Sequence, residues 1–181
     1  MSDISNELIL KAAGGDMAAF ETIYKASSGF VYNIALRVTN NRDDADEVTQ
    51  DVFVKIFNSL KDFGFRSSFK TWIYRIAANT AINRAKSASR RGRGTVEYDP
   101  AIHDVQAPDA AHVSPDSEEA KAKVARLLDA LDPDQRAVLV LREIEELDYR
   151  AIADTLKINI NTVRSRLKRA REKLIALARK R

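Results

Sequence analysis

A helix-turn-helix near the carboxyl end constrains this chain more than any other feature of its sequence. Residues 148–156 have the pattern of a short helix, 157–159 form a tight connection, and 160–171 continue as a very basic second helix. Asp148 and Asn159 stand where N-caps are needed. Two helices joined in this way insert the second one into the DNA major groove, so the chain is predicted to bind duplex DNA. The alternative is an exposed amphipathic helix with a solvated basic face. The apolar residues that support the helix pair, at intervals of three and four, are Ile152, Ala153, Leu156, Val163, Leu167, Ala170 and Leu174.

Charge is segregated along the chain, although the formal net charge is only +4. After Lys157 the many Lys and Arg residues face a single acid, Glu172, whereas 116–154 is acidic. Such segregation predicts a polyanion at one surface and a protein at another. The absence of cysteine excludes a disulfide framework, a thiolate zinc site and a thiol redox sensor in this chain.

The middle of the chain predicts a domain boundary. Residues 87–116 have no helical periodicity and contain Pro100, Pro108 and Pro115, whereas both flanking blocks have helical patterns. We therefore expect an all-α protein of two small helical domains, 1–88 and 117–181, joined by a flexible linker, 89–116. The start of the chain lacks the pattern of a signal peptide, and the longest apolar stretch, 137–141, is too short to span a bilayer. A cytoplasmic protein without membrane insertion is expected.

In the first block, helical spacing from Phe20 to Val38 predicts a helix with a candidate bend at 27–29. Asp44 and Glu47 resemble a capping box for the next helix. In the second block, Asp132 is the predicted cap of a helix with Pro133 at its first position and Gln135 closing the box. The next helix of the first block is predicted to bury the stripe Val48, Val52, Ile56 and Leu60, with Phe53 beside it.

The last helix of the first block, 69–88, has a predicted exposed face of cations, hydroxyls, amides and an aromatic ring. Single-stranded nucleic acid is bound by such a combination, since cations contact phosphate and flat side chains stack on bases. The alternative for Phe69 and Trp72 is that both belong to the core. Tyr74 is harder to explain as core. The exposed face is predicted to contain Lys70, Thr71, Tyr74, Arg75 and Lys86, with Asn79 and Asn83 at its boundary.

An acidic run, 43–51, begins the helix before it. Acids stabilise a helix N-terminus through the macrodipole, which explains the first turn. Gln50 and Asp51 lie beyond that turn, so the polar face is equally suited to docking another protein.

Four segments together resemble the bacterial sigma factors of the extracytoplasmic-function (ECF) class. Residues 45–53 resemble the core-binding helix, 69–79 the promoter-melting helix, and 131–136 with 162–167 the fourth conserved region. They occur in family order, with a short linker where larger sigma factors have a third region. The resemblance covers nearly the whole chain.

The resemblance implies an alternative sigma factor that binds core RNA polymerase, recognises the minus-thirty-five and minus-ten promoter elements and promotes melting. Its partners would be the polymerase β′ clamp and β flap, promoter DNA and an anti-sigma factor, with no cofactor, metal or small-molecule substrate. The residues implied for core polymerase are Asp46, Glu47, Gln50, Asp51 and Phe53; for the minus-ten element, Lys70, Thr71, Trp72, Tyr74, Arg75, Asn79 and Asn83; and for the minus-thirty-five element, Asn161, Thr162, Arg164, Ser165, Lys168, Arg169 and Arg171.

Asn161 departs from the family pattern, since many relatives have Gly before Thr-Val. It either contacts a base, because Asn pairs bidentately with adenine, or merely starts the helix. A two-domain helix-turn-helix regulator that acts without polymerase is the alternative function. An enzyme is not expected, because His103 and His112 both lie in the linker and neither a phosphate-binding glycine loop nor a metal-spaced cluster occurs.

Overall fold

A computed structural model describes residues 4–90 and 118–179, and within these ranges the chain is helical. We call 4–90 the N-terminal unit and 118–179 the C-terminal unit. The N-terminal unit contains α1 (Asn6–Ala13), α2 (Met17–Thr39), α3 (Arg42–Ser59), a 3-10 turn (Leu60–Asp62) and α4 (Phe69–Arg90); the C-terminal unit contains α5 (Glu118–Asp129), α6 (Pro133–Glu143), α7 (Tyr149–Leu156) and α8 (Ile160–Ala178). The all-helical architecture is confirmed. None of these helices is long and apolar enough to cross a membrane.

Helix starts follow local capping chemistry. Asp132, Asp148 and Asn159 are N-caps as predicted, and each side-chain oxygen accepts a hydrogen bond from a backbone N–H in the first turn. Ser68 likewise accepts from the Thr71 N–H, at 3.1 Å. Asn40 and Lys157 adopt left-handed conformations (φ 54° and 52°) directly after α2 and α7, where this geometry stops a helix.

Three local predictions are wrong. The capping box at Asp44 does not form, because Asn41 caps α3 and Asp44 lies inside its first turn, bonded to Arg84. The Oε1 atom of Gln135 is buried and accepts no hydrogen bond from residues 4–90 or 118–179, so the box at Asp132 is not closed. Residues 27–29 remain helical within α2. In addition, α1 was not among the predicted helices.

Both units pack into one hydrophobic core. In the N-terminal unit α2, α3 and α4 pack against each other, and α1 covers α2 and the 3-10 turn. In the C-terminal unit α6 and α7 pack on α8, while α4 and α2 of the N-terminal unit contact α6, and α4 also contacts α7. The buried cluster runs continuously from Ile9 to Ala170. The predicted linker, apart from Ser89 and Arg90, lies outside the described residues, as do His103 and His112.

Candidate nucleic-acid and protein interfaces

The helix-turn-helix is present as predicted, with one buried and one exposed side on α8. Val163, Leu167 and Ala170 are at most 1% exposed and belong to the same core as Ile152 and Ala153 of α7. At 3.6 residues per turn, the polar side chains fall on the opposite side of α8. This exposed set, which we call the α8 face, comprises Asn161, Arg164, Ser165, Lys168 and Arg169.

Hydrogen bonds pre-arrange part of the α8 face. The Asn161 backbone N–H donates to the Asn159 side chain at 2.8 Å, and the Asn161 side-chain oxygen accepts from Arg164 Nη1 at 2.9 Å. Asn159 is therefore the residue that caps α8, whereas Asn161 lies in its first turn and its side chain orients Arg164. Ser165 Oγ donates to the Thr162 carbonyl at 3.0 Å, so its hydroxyl proton is used within the helix.

Arg171 differs from the other cations predicted to contact DNA. Its Nη2 donates to Glu143 Oε1 at 2.6 Å, and this hydrogen bond raises the pKa of Arg171. A half-neutralised cation attracts phosphate less strongly than Arg164 or Arg169, which form no ion pair with any described carboxylate. Thr162 is half-buried at the start of α8.

The residues predicted on α4 divide into two groups. Arg75, Asn79 and Asn83 follow one another at intervals of four and line one cavity, together with residues of α3 and the α7–α8 turn. Lys70 instead lies 5.4 Å over the Phe30 ring, and Thr71 shares a hydrogen bond with the Ser68 cap. The structure therefore brings together only the second half of the predicted face.

Tyr74 does not lie on an exposed face, so that prediction is wrong. Its side chain is 5% exposed and packs against Phe30, with ring centroids 5.8 Å apart. Burial raises the pKa of the Tyr74 phenol far above its ordinary value, and its hydroxyl has no hydrogen-bond partner in the described part of the chain. Trp72 is half-buried against Phe63 and Phe69, at centroid distances of 5.1 and 5.7 Å.

The α3 surface is acidic at its start and apolar further along. Asp46, Gln50 and Asp51 are exposed, whereas Glu47 is ion-paired with Arg84. Arg84 also donates to the buried Asp44 at 2.7 Å, and this bond raises the pKa of Arg84. Phe53, by contrast, is only 5% exposed and packs on Tyr24, at 4.6 Å between centroids.

Two exposed apolar residues on α3 were not predicted. Val54 and Phe57 are 59% and 46% exposed, and they follow Gln50 by four and seven residues, on the same side of the helix. Phe57 makes an edge-to-face contact with Phe20 at 5.1 Å. Both residues lie outside the buried stripe Val48, Val52, Ile56 and Leu60, and this spacing could have predicted their exposure from the sequence. We call Asp46, Gln50, Asp51, Val54 and Phe57 the α3 face.

Polar contacts join the two units beside these surfaces. Asn79 Nδ2 donates to the Thr155 carbonyl of α7 at 2.8 Å. Asp134 pairs with Lys86 of α4 at 2.8 Å and with Arg166 of α8 at 3.2 Å. In the described residues, no cluster of carboxylates and imidazoles suited to a metal ion occurs.

Comparisons with known proteins agree with this architecture. The family described as sigma-70 region 2 matches residues 23–91, and that described as sigma-70 region 4 matches 121–174. The RNA polymerase sigma-H factor of Pseudomonas aeruginosa is 33% identical over 175 residues, covering 92% of this chain and 89% of the relative. The ECF RNA polymerase sigma-E factor of Escherichia coli K12 is 32% identical over 174 residues, with 91% and 89% covered.

Solved structures have the same fold. CnrH, in complex with the cytosolic domain of CnrY, matches with a TM-score of 0.65 and 26% identity over 97% of both chains. RpoE of Bartonella quintana, in complex with the anti-sigma factor NepR, matches with a TM-score of 0.63 and 22% identity, over 88% of this chain and 96% of RpoE.

Proposed function

The chain belongs to the ECF family of RNA polymerase sigma factors, and from that premise we propose how its surfaces divide the work of an alternative sigma factor. Sigma regions 2 and 4 bind core polymerase and promoter DNA. The observation that carries the division is the presence of separate polar faces on separate units: the α8 face in one, and α4 and the α3 face in the other. A regulator that binds duplex DNA at one site needs only the α8 face.

We propose that the α8 face reads the minus-thirty-five element. Arg164, Lys168 and Arg169 are exposed on the side of α8 away from its core, so the helix can enter a major groove without repacking. Arg pairs bidentately with guanine, and the hydrogen bond that Arg164 donates to the Asn161 side-chain oxygen holds Arg164 in one orientation. Arg171 and Thr162 would contribute phosphate contacts at the edge of the face.

The minus-ten element is assigned to α4. Arg75 and Asn83 present a cation and an amide along one stripe, which suits an unstacked strand; Asn79 would join them with the amide that donates to the Thr155 carbonyl in the docked arrangement. Lys70 and Thr71 would contact backbone phosphates at the start of the helix. Tyr74 would act from within, by holding α4 on α2, and Trp72 would offer the exposed part of its ring.

Core polymerase is assigned to the α3 face. Its carboxylates attract a basic partner, and Val54 with Phe57 supplies apolar area of the kind that is buried at the centre of a protein interface. Phe53 supports this face from below, and Glu47 contributes less because Arg84 already neutralises it.

An anti-sigma protein is the proposed regulator. CnrH, which has the same fold, forms a complex with the cytosolic domain of a second protein, CnrY, and this supports a protein partner for the chain. A partner that covers the α3 face or the α4 stripe would compete directly with polymerase or promoter DNA.

Association with core polymerase is the test of the proposed function. The purified chain is expected to co-elute with core RNA polymerase in size-exclusion chromatography and to direct transcription from a fragment library with defined start sites. Specific duplex binding by the chain alone, without polymerase association, would contradict the proposal and favour an ordinary helix-turn-helix regulator.

Replacing Arg164 or Arg169 with Ala is expected to weaken recognition of the upstream element by about 1–3 kcal/mol. The loss should be largest on the native element and smaller on mutated ones, because a base contact is lost. Competition binding of holoenzyme to promoter variants measures it. Lys61→Ala, which removes an exposed cation from the N-terminal unit, is the charge-matched control. An equal loss on every sequence would show that the two arginines contact only phosphate.

A further inference from the structure

A cavity at the junction of the two units is lined by three positively charged side chains. It has a volume of about 280 Å³, and Lys55 of α3, Arg75 of α4 and Lys157 of the α7–α8 turn all line it. The remaining lining residues carry no acid: they are Ser59, Ile76, Asn79, Thr80 and Asn83. Three cations from three segments therefore meet at one space without a carboxylate among them.

The cations around this cavity differ from those elsewhere between the units. Arg37 pairs with Glu145 at 3.0 Å, and Lys86 and Arg166 share Asp134 as their ion-pair partner. Lys55, Arg75 and Lys157, by contrast, form no ion pair with a carboxylate in 4–90 or 118–179. Arg75 is half-buried and Lys55 and Lys157 are exposed; like charges gathered around one cavity repel each other, so an anion between them would be bound favourably.

The cavity also offers hydrogen-bond donors. Among the residues that the structure describes, Arg75 Nε has no hydrogen-bond partner, and Lys55 Nζ donates only to Thr80 Oγ1, at 2.9 Å. Asn83 is exposed at the rim and contributes an amide. Ammonium, guanidinium and amide donors arranged around one space suit the oxygen atoms of phosphate groups.

We propose that this cavity binds a small phosphate-bearing ion, which bridges Lys157 of the C-terminal unit and Lys55 and Arg75 of the N-terminal unit. The ion stabilises the docked arrangement of the two units, because only that arrangement brings the three cations together. Since Arg75, Asn79 and Asn83 belong to the proposed minus-ten surface, an occupied cavity opposes promoter engagement; this consequence alone rests on the proposed function.

Pyrophosphate is the probe for the binding test, which uses the full chain without polymerase or promoter. Isothermal titration calorimetry with pyrophosphate is expected to show one saturable site. A control titration with sodium chloride of equal ionic strength should show none. Lys157→Gln and Lys55→Gln each remove one charge-assisted contact and are expected to weaken binding about tenfold. Lys61→Gln and Lys173→Gln remove exposed cations outside the cavity and are expected to bind as the wild type does. No saturable binding, or an equal loss in all four variants, would overturn the proposal.

Bridging is tested by a distance measurement. Because the chain has no cysteine, Asn6→Cys and Ala176→Cys place two dyes at exposed helical positions, one on each unit. Pyrophosphate is expected to raise the docked fraction in single-molecule energy transfer, and Lys157→Gln to abolish that rise. Binding with an unchanged distance distribution would overturn the bridging role. A single-stranded oligonucleotide that binds more tightly, and still requires Lys157, would assign the cavity to a strand phosphate instead of a small ion.

Discussion

Replacing Arg136 with Met is expected to lower the free energy of unfolding by about 3–5 kcal/mol, because one partner is removed from a buried charged network. Arg136 is 7% exposed, and its Nη1 donates to the Val38 and Thr39 carbonyls at 3.2 and 3.1 Å. These carbonyls end α2, where the helix dipole favours a cation. Methionine fills similar volume but leaves both carbonyls without their donor. Denaturant unfolding followed by circular dichroism measures the loss.

The control for this substitution is Arg150→Met, which makes the same chemical change at an exposed position of α7. It is expected to stay within about 0.5 kcal/mol of the wild type. Arg136→Lys keeps the charge but loses the planar guanidinium group, so its free energy of unfolding should lie between those of the two Met variants. If Arg136→Met is as stable as Arg150→Met, the two carbonyl contacts do not stabilise the fold.

Three polar contacts join the carboxyl end of α2 to the C-terminal unit. Arg37 pairs with Glu145, the Asn40 amide donates to the Ala125 carbonyl at 3.5 Å, and Arg136 reaches the last carbonyls of the helix. Burial lowers the pKa of Arg136, yet an arginine remains charged at neutral pH, so the network is permanent over the physiological range.

Local chemistry made most of the helices predictable. The caps at Asp132, Asp148 and Asn159 depend on residues within three positions, and the buried side of α8 follows from a 3.6-residue period. Tyr74 could not be predicted in the same way. Its environment is set by Phe30, which lies more than forty residues earlier, so periodicity within α4 does not reveal which side α2 covers.

The positions of the candidate surfaces could be predicted from the sequence, but the ion pairs that their residues form could not. Helical spacing alone places Arg164 and Arg169 on one face, whereas the bonds Arg171–Glu143 and Glu47–Arg84 join residues far apart in sequence. The cavity between the units was not foreseen either. A flexible linker suggests independent domains, and only the docked arrangement brings Lys157 near Arg75.

Replacing Asp51 with Lys is expected to weaken binding to core RNA polymerase by roughly 10- to 100-fold, since a like-charge contact at an interface costs several kcal/mol. Asp51 is exposed on the α3 face and forms no ion pair with a described residue, so the substitution disrupts nothing inside the N-terminal unit. Fluorescence anisotropy of the labelled chain, titrated with core polymerase, measures the affinity. The effect should shrink in high salt, because exposed charges are screened.

Asp62→Lys makes the same reversal at an exposed position of the 3-10 turn, outside the α3 face, and is expected to bind polymerase as the wild type does. Phe57→Ala should also weaken polymerase binding, but without the salt dependence, because it removes apolar area instead of charge. Both α3 variants should keep the helical content and the duplex DNA binding of the α8 face. If Asp51→Lys loses polymerase and DNA binding together, the chain is misfolded. If it matches Asp62→Lys, the acidic part of the α3 face does not contact polymerase, and Val54 and Phe57 would have to account for docking alone.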